Sequence, residues 1–265
     1  MYQVIGASVI GSSHTRMNLP CQDYFNYRAI QAGKGIIVAV ADGLGSAARS
    51  ADGSRIAVEE VLGAVEAGIR EIKPQTEEEW QHVIQQGFAE TRDTLIEIAG
   101  KQNVELREYG TTLIAVYLHQ NLIVIGQIGD GAVVALDDSG NLNTISAPIR
   151  GEYANETIPL TAKDALFQTR ITVQLKDIKA VAVFTDGLQN LVLSSATMTP
   201  YEPAFKPFFD VITGKVDLED ATHKLEEFLA SEKVCAKTDD DKTLVLVGKL
   251  PEEKRTKQNR VSKYY

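Results

Sequence analysis

Residues 36–55, IIVAVADGLGSAARSADGSR, run apolar from Ile36 to Ala41 and stop at Asp42-Gly43. The same junction returns in LIVIGQIGDGAVV (122–134), at Asp130-Gly131, and in VAVFTDGLQN (181–190), at Asp186-Gly187. A fourth case is reversed: in TDDDKTLVLV (238–247) three aspartates stand immediately before an apolar run. One Asp-Gly pair is most simply a turn. Four such junctions ask for a common cause. A carboxylate at the end of a buried strand is held by a rigid scaffold and can still face a cleft, so several from distant parts of the chain can converge there.

Outward from Asp42, the chain alternates strand-like and helix-like blocks. Ile56, Val58, Val61, Leu62, Val65, Ile69 and Ile72 fall at three- and four-residue steps, the period of an amphipathic helix, with Pro74 at or just past its end. Ser46 and Ser50 are candidate caps for it. Thr76-x-x-Glu79 has the form of a capping box opening a second helix, with Trp80, Ile84, Phe88, Leu95 and Ile98 on one face. From Gly110 the period changes. TTLIAVYL, LIVIGQIG and AVVALDDSGNL predict consecutive strands joined as antiparallel hairpins, with Asp137 and Asp138 as turn residues. The strands RITVQL and AVAVFT follow an irregular stretch, and a helix over 217–229 precedes the closing strand TLVLVGKL. This pattern predicts an α+β layered domain over residues 1–250, followed by a basic tail, 251–265.

The chain has 265 residues, 44% of them hydrophobic, and a net charge of −9. An acidic surface argues against nucleic acid or an anionic membrane as partner. No apolar run approaches a membrane span, which takes about 18 residues or more. The start carries no signal-peptide pattern. Cys21 and Cys235 lie outside any CxxC pair, which argues against zinc and disulfide frameworks and fits a reducing cytoplasm.

Converging carboxylates repel one another unless protons or cations intervene. Oxygen donors without histidine or cysteine favour hard cations such as Mg²⁺ or Mn²⁺. Two such ions at roughly 3.5–4 Å can orient a hydroxide at phosphorus. Glycine after Asp42 lets backbone approach an ion closely, so the Gly43 carbonyl is a candidate donor. Against this, Asp239–Asp241 also reads as a solvated loop, and His14 as a structural residue of its loop rather than an acid.

In their order, GSSHTRMNLPCQDYF, VAVADGLGSA, GTTLIAVYL, GQIGDGAVVAL, AVFTDGL and DDDKTLVLV resemble the metal-dependent PP2C family of serine/threonine protein phosphatases, through nearly the whole chain. GEYANET (151–157) is similar to a bacterial-type subgroup. The resemblance implies a four-layer α-β-β-α sandwich with two central antiparallel sheets. It implies two Mn²⁺ or Mg²⁺ ions at one end, with a third, weaker one in bacterial members. It makes Asp42 the bridge between the two ions, with the Gly43 carbonyl on one and Asp186 and Asp240 on the other. Asp23 assists, and Asp130 with Asp186 holds the third. Arg16 is the phosphate-binding candidate, although MNLPCQ sets it further than usual from Asp23. Gln22 and Leu44 stand where the family often has glutamate and, in eukaryotic members, histidine. Leaving-group protonation would then fall to metal-bound water. The irregular stretch 147–165 matches a variable flap beside the active site, with Glu152 and Tyr153 predicted to touch the protein substrate.

The resulting expectation is a monomeric, cytoplasmic phosphatase that hydrolyses phosphoserine and phosphothreonine in proteins by attack of metal-bridged hydroxide. Two alternatives stand beside it: a catalytically weak module of this type that binds phosphoproteins as a regulator, and a two-metal nuclease, which the acidic charge disfavours.

Overall fold

The run that ends at Asp42 is apolar throughout because both of its faces are covered. Ile36, Val38 and Val40 pack against a second sheet, while Ile37, Ala39 and Ala41 pack under helices. The computed structural model describes residues 1–149 and 157–250. Along the chain come β1 (Tyr2–Val9), α1 (Ser12–Met17), β2 (Tyr24–Ile30), β3 (Gly35–Ala41), α2 (Ser50–Ile72) and α3 (Glu77–Gln102). Next are β4 (Leu113–His119), β5 (Leu122–Ile128), β6 (Ala132–Asp137), β7 (Leu142–Ser146), α4 (Ala165–Gln168), β8 (Arg170–Leu175) and β9 (Ile178–Phe184). The last are α5 (Gln189–Val192), α6 (Glu202–Thr213), α7 (Leu218–Ala230), α8 (Glu232–Cys235) and β10 (Lys242–Lys249).

The strands form two five-stranded sheets, ordered β2-β3-β4-β5-β8 and β1-β10-β9-β6-β7. Their pairings are antiparallel. Side chains alternate between faces along a strand, and this sorts the core into layers. Val181, Val183, Val245 and Val247 meet Ile36, Val38, Ile114 and Val116 between the sheets. Ala182, Phe184, Leu244 and Leu246 turn outward to meet Phe205, Phe209, Leu225 and Leu229 of α6 and α7. The first sheet's outer face is covered by α2 and α3. The result is the expected α-β-β-α order.

Helix α2 ends at Lys73 in the left-handed conformation, just before Pro74. The capping box of α3 is formed: Glu79 N–H donates to Thr76 Oγ1 at 3.2 Å, and Glu79 Oε2 accepts from Thr76 N–H at 3.1 Å. The Asp137 turn is likewise local, with Oδ1 accepting from the N–H groups of Ser139 and Asn141.

Two expectations need correction, and one helix is added to them. The link from β5 to β6 is not a hairpin: β5 pairs with β4 and β8, whereas β6 pairs with β7 and β9 in the other sheet. A short Gly-Asp-Gly link cannot be told from a hairpin turn by its length. What redirects it is Gly129, at φ +93°, and the two-sided apolar surface of β6. Neither Ser46 nor Ser50 caps α2; Arg49 occupies the cap position without a side-chain bond. Helix α6 is an element that the sequence pattern does not single out, and it contains Pro203 and Pro207. Pro203 falls in the first turn, where its missing N–H has no helical partner to lose, and Phe205, Phe209 and Ile212 supply the buried stripe. No helix among the described residues is long and apolar enough to cross a membrane.

Candidate active site

Antiparallel register brings the acidic junctions to one end. Ala41 pairs with Tyr24, Val40 with Ile114, and Leu113 with Ile128, so the end of β3, the starts of β2 and β4, and the end of β5 are level. In the other sheet Phe184 pairs with Ala132 and with Leu244, which levels the end of β9 with the starts of β6 and β10. Asp23, Asp42, Asp130, Asp186 and Asp240 all sit just beyond these ends.

One carboxylate oxygen from each of Asp42, Asp130 and Asp186 lies within 4.8 Å of the others, and all three residues are partly open to solvent. Asp42 is clamped through its backbone. Its N–H donates to Thr112 Oγ1 at 2.9 Å, and its carbonyl accepts from Thr112 N–H at 2.8 Å and from Thr111 Oγ1 at 3.0 Å. Gly43 N–H donates to the Gln22 carbonyl at 3.1 Å. A Cβ on Gly43 would stand 2.7 Å from the Ser50 carbonyl oxygen and 2.8 Å from that of Gln22. A Cβ on Gly187 would stand 2.0 Å from the Asp241 carbonyl oxygen. Both Asp-Gly glycines are therefore demanded by neighbouring backbone, whatever else they allow. Asp130 Oδ2 accepts from Thr157 Oγ1 at 2.5 Å, and its carbonyl accepts from Gln189 Nε2.

The carboxyls at this end hold protons more tightly than usual. Displacement of water raises Asp42 well above the carboxylate range, and the charges of Asp23, Asp186 and Asp240 add to it. Asp186 is pushed up to about 6 by desolvation first and by Asp130 second. Asp23 is buried and pushed up to about 8 by desolvation, against the opposing effect of the hydroxyls of Thr185 and Thr243, each donating to its Oδ2 at 2.8 Å.

Asp240 is not among the three whose oxygens are gathered. It stands beside them: its Cβ is 3.6 Å from where a Cβ on Gly187 would be, and burial raises its carboxyl too. Its neighbour Asp241 has a different task. Buried Asp241 accepts from Gly11 N–H and Gln22 N–H at 2.6 Å each, tying the segment before β10 to those before α1 and β2. His14 Nδ1 lies 2.9 Å from Asp241 Oδ2, a close contact without hydrogen-bond alignment, so this buried histidine belongs to the loop packing. Arg16 is exposed on α1, with its guanidinium 3.2 Å from the Asp239 carboxylate, one residue before Asp240. Glu152 and Tyr153 lie outside the described residues, as does the tail 251–265.

Sequence reasoning missed Thr111, Thr112, Thr185, Thr243 and Thr157, which hold the acidic groups. Their signal was present, since Thr185 immediately precedes Asp186 and Thr243 opens the closing strand.

A family model described as "Protein phosphatase 2C" matches residues 10–230. The chain is 31% identical over 251 residues to serine/threonine-protein phosphatase 3 of Escherichia coli (strain K12), covering 92% of this chain and 97% of that one. Serine/threonine phosphatase Stp1 from Staphylococcus aureus shares its fold at a TM-score of 0.67 and 14% identity, over 94% of this chain and 95% of that one. The catalytic domain of serine/threonine protein phosphatase PstP, solved with two manganese ions, does so at a TM-score of 0.58 and 16% identity, over 94% and 99% of the two chains. These relatives are phosphatases, which favours the catalytic reading over a binding-only module. With most of its length under that family model and a relative of matching span, the chain belongs to the protein phosphatase 2C family.

Proposed function

We propose that the chain hydrolyses phosphoserine and phosphothreonine esters in proteins, with Asp42, Asp130, Asp186 and Asp240 holding divalent cations. The observation that carries this is the gathering of three carboxylates within 4.8 Å. Three carboxylates this close do not all ionise in water-poor surroundings without a counter-charge. The donor set fits a hard cation: oxygen atoms alone, with Asp186 Oδ1 buried and without a hydrogen-bond partner. Asp42 and the Gly43 carbonyl would offer donors to two Mn²⁺ or Mg²⁺ ions, the number that the PstP catalytic domain holds. Asp130 with Asp186 suits a third. When bound, such ions neutralise phosphate charge and acidify water for the attack.

The chain's own residues supply the rest. Thr111 and Thr112 fix the Asp42 backbone so that its carboxylate does not reorganise during turnover. Asp23, behind the cluster, is a positioning residue: its charge acts on Asp42, and Thr185, which directly precedes Asp186, donates to its Oδ2. Arg16 receives phosphate, for which a planar guanidinium provides paired donors, and Asp239 holds it near the site mouth until substrate arrives. Glu152 and Tyr153 are proposed to contact the protein substrate. Residues 1–250 form the catalytic unit, which acts as a monomer in the cytoplasm; the free state of Cys21 and Cys235 supports the compartment.

The test pairs Mn²⁺ titration by calorimetry with hydrolysis of a phosphothreonine peptide and of an oligonucleotide. Saturable Mn²⁺ binding that EDTA reverses, with phosphopeptide turnover alone, is expected. Full turnover after thorough chelation, or cleavage of the oligonucleotide, overturns the reading.

A further inference from the structure

Helices α6 and α7 have 12 and 13 residues, against 23 and 26 for α2 and α3. The shorter pair leaves an apolar groove of about 480 Å³ whose walls include Leu188, Tyr201, Phe208 and Phe228. Phe208 and Phe228 meet edge to face, with ring centroids 5.3 Å apart. Tyr201 is 58% exposed and Phe228 42%, so a large aromatic surface faces water in one place. Contiguous apolar surface of this kind marks an interaction site more often than it marks chance.

Two of the groove's residues stand close in sequence to the carboxylate cluster. Leu188, in its wall, follows Asp186 by two residues, and Lys237, on its rim, precedes Asp240 by three. Lys233 stands on the same rim. Both lysines are exposed, and neither forms an ion pair among the described residues. On a chain of net charge −9, two unpaired lysines beside an apolar groove are a local complement to an acidic partner.

We propose that this groove docks the substrate segment flanking the phosphorylated residue. It selects phosphoproteins that carry a bulky apolar side chain near the phosphoserine or phosphothreonine and an acidic residue beside it. The apolar side chain packs on the aromatic surface of Tyr201, Phe208 and Phe228, and the acid pairs with Lys233 and Lys237. The inference rests on the phosphatase reading, because that reading places the phosphate at Asp42 and Asp186.

The test uses the full chain with Mn²⁺ and three substrates: a phosphothreonine peptide with flanking Phe and Glu, the same peptide with Ala at both positions, and p-nitrophenyl phosphate. Fluorescein-labelled forms of both peptides report binding by anisotropy. The wild-type protein is expected to prefer the Phe/Glu peptide over its Ala counterpart roughly tenfold or more in kcat/KM, mostly through KM. The double variant Lys233→Glu/Lys237→Glu and, separately, Phe228→Ser should each erase that preference in turnover and in anisotropy. Equal handling of the two peptides by the wild type, or a preference that survives both variants, overturns the proposal. So does a change in sedimentation mass on substitution, which assigns the groove to a second copy of the chain. Absence of turnover on p-nitrophenyl phosphate by the wild type counts against the phosphatase reading instead, and the anisotropy ratio still decides the groove.

Discussion

The two helical layers cover equivalent sheets with unequal completeness. Over the first sheet α3 lies so close that a Cβ on Gly126 of β5 would stand 2.4 Å from Ile84 and 2.6 Å from Phe88. Val65, Leu62, Phe88 and Leu95 are fully buried there. Over the second sheet Phe205 and Phe209 are buried, but Phe208 is only partly covered and Phe228 and Tyr201 face solvent. Both halves nevertheless bring acid to the same end: Asp42 from the first sheet, Asp186 from the second, and Asp130 from the link between them. The halves differ in how they are sealed and agree in what they present. Cover and chemistry are thus set by different parts of the chain.

The sharpest test of the agreement is the loss of one aspartate from each half. Asp42→Ala and Asp186→Ala should each lower turnover of an aryl phosphate on the order of 10³-fold, the scale of removing a group that acts on transition-state charge. Circular dichroism should show both variants folded. A variant that retains most of its activity shows that the two halves do not share one site.

Sealing is tested by truncation. Phe88→Ala, in the closed layer, should cost about 3–5 kcal/mol in urea unfolding. Phe228→Ala, at the open groove, should cost less than about 1 kcal/mol, because water already reaches that ring. Equal costs mean that the groove is as well packed as the closed layer.

A smaller effect concerns pH. Asp23 and Asp186 hold their protons up to about 8 and about 6 in the folded metal-free protein. Unfolded aspartate releases its proton near pH ~4. The folded state therefore binds more protons between these values, and the stability these groups contribute is complete below about pH 4 and falls as pH rises through 6 and 8. The melting temperature of EDTA-treated protein should decline across that window, and Mn²⁺ should remove the decline by taking the protons' place. A metal-free melting temperature that climbs steadily from pH 5 to 8 contradicts the protonated cluster.

A good part of this was legible in the chain. The apolar runs ending at Ala41 and Phe184, the 3.6-residue period of α2 and the Thr76–Glu79 box are local patterns, because backbone periodicity writes itself into nearby residues. The acids beyond the strand ends were legible for the same reason. What stood outside local reach was partnership. Whether Gly-Asp-Gly turns back on β5 or crosses to the other sheet depends on which strands β6 meets, some fifty residues away at β9. Asp239, Asp240 and Asp241 are one chemical type in a row. Only the packed fold gives Asp241 the N–H groups of Gly11 and Gln22, sets Asp240 beside Gly187, and leaves Asp239 in solvent with Arg16. Residue type and spacing determined that carboxylates would collect at strand ends. Tertiary structure decided which of them are buried, which are tied to backbone and which face the cleft, because desolvation and hydrogen-bond partners come from residues distant in sequence.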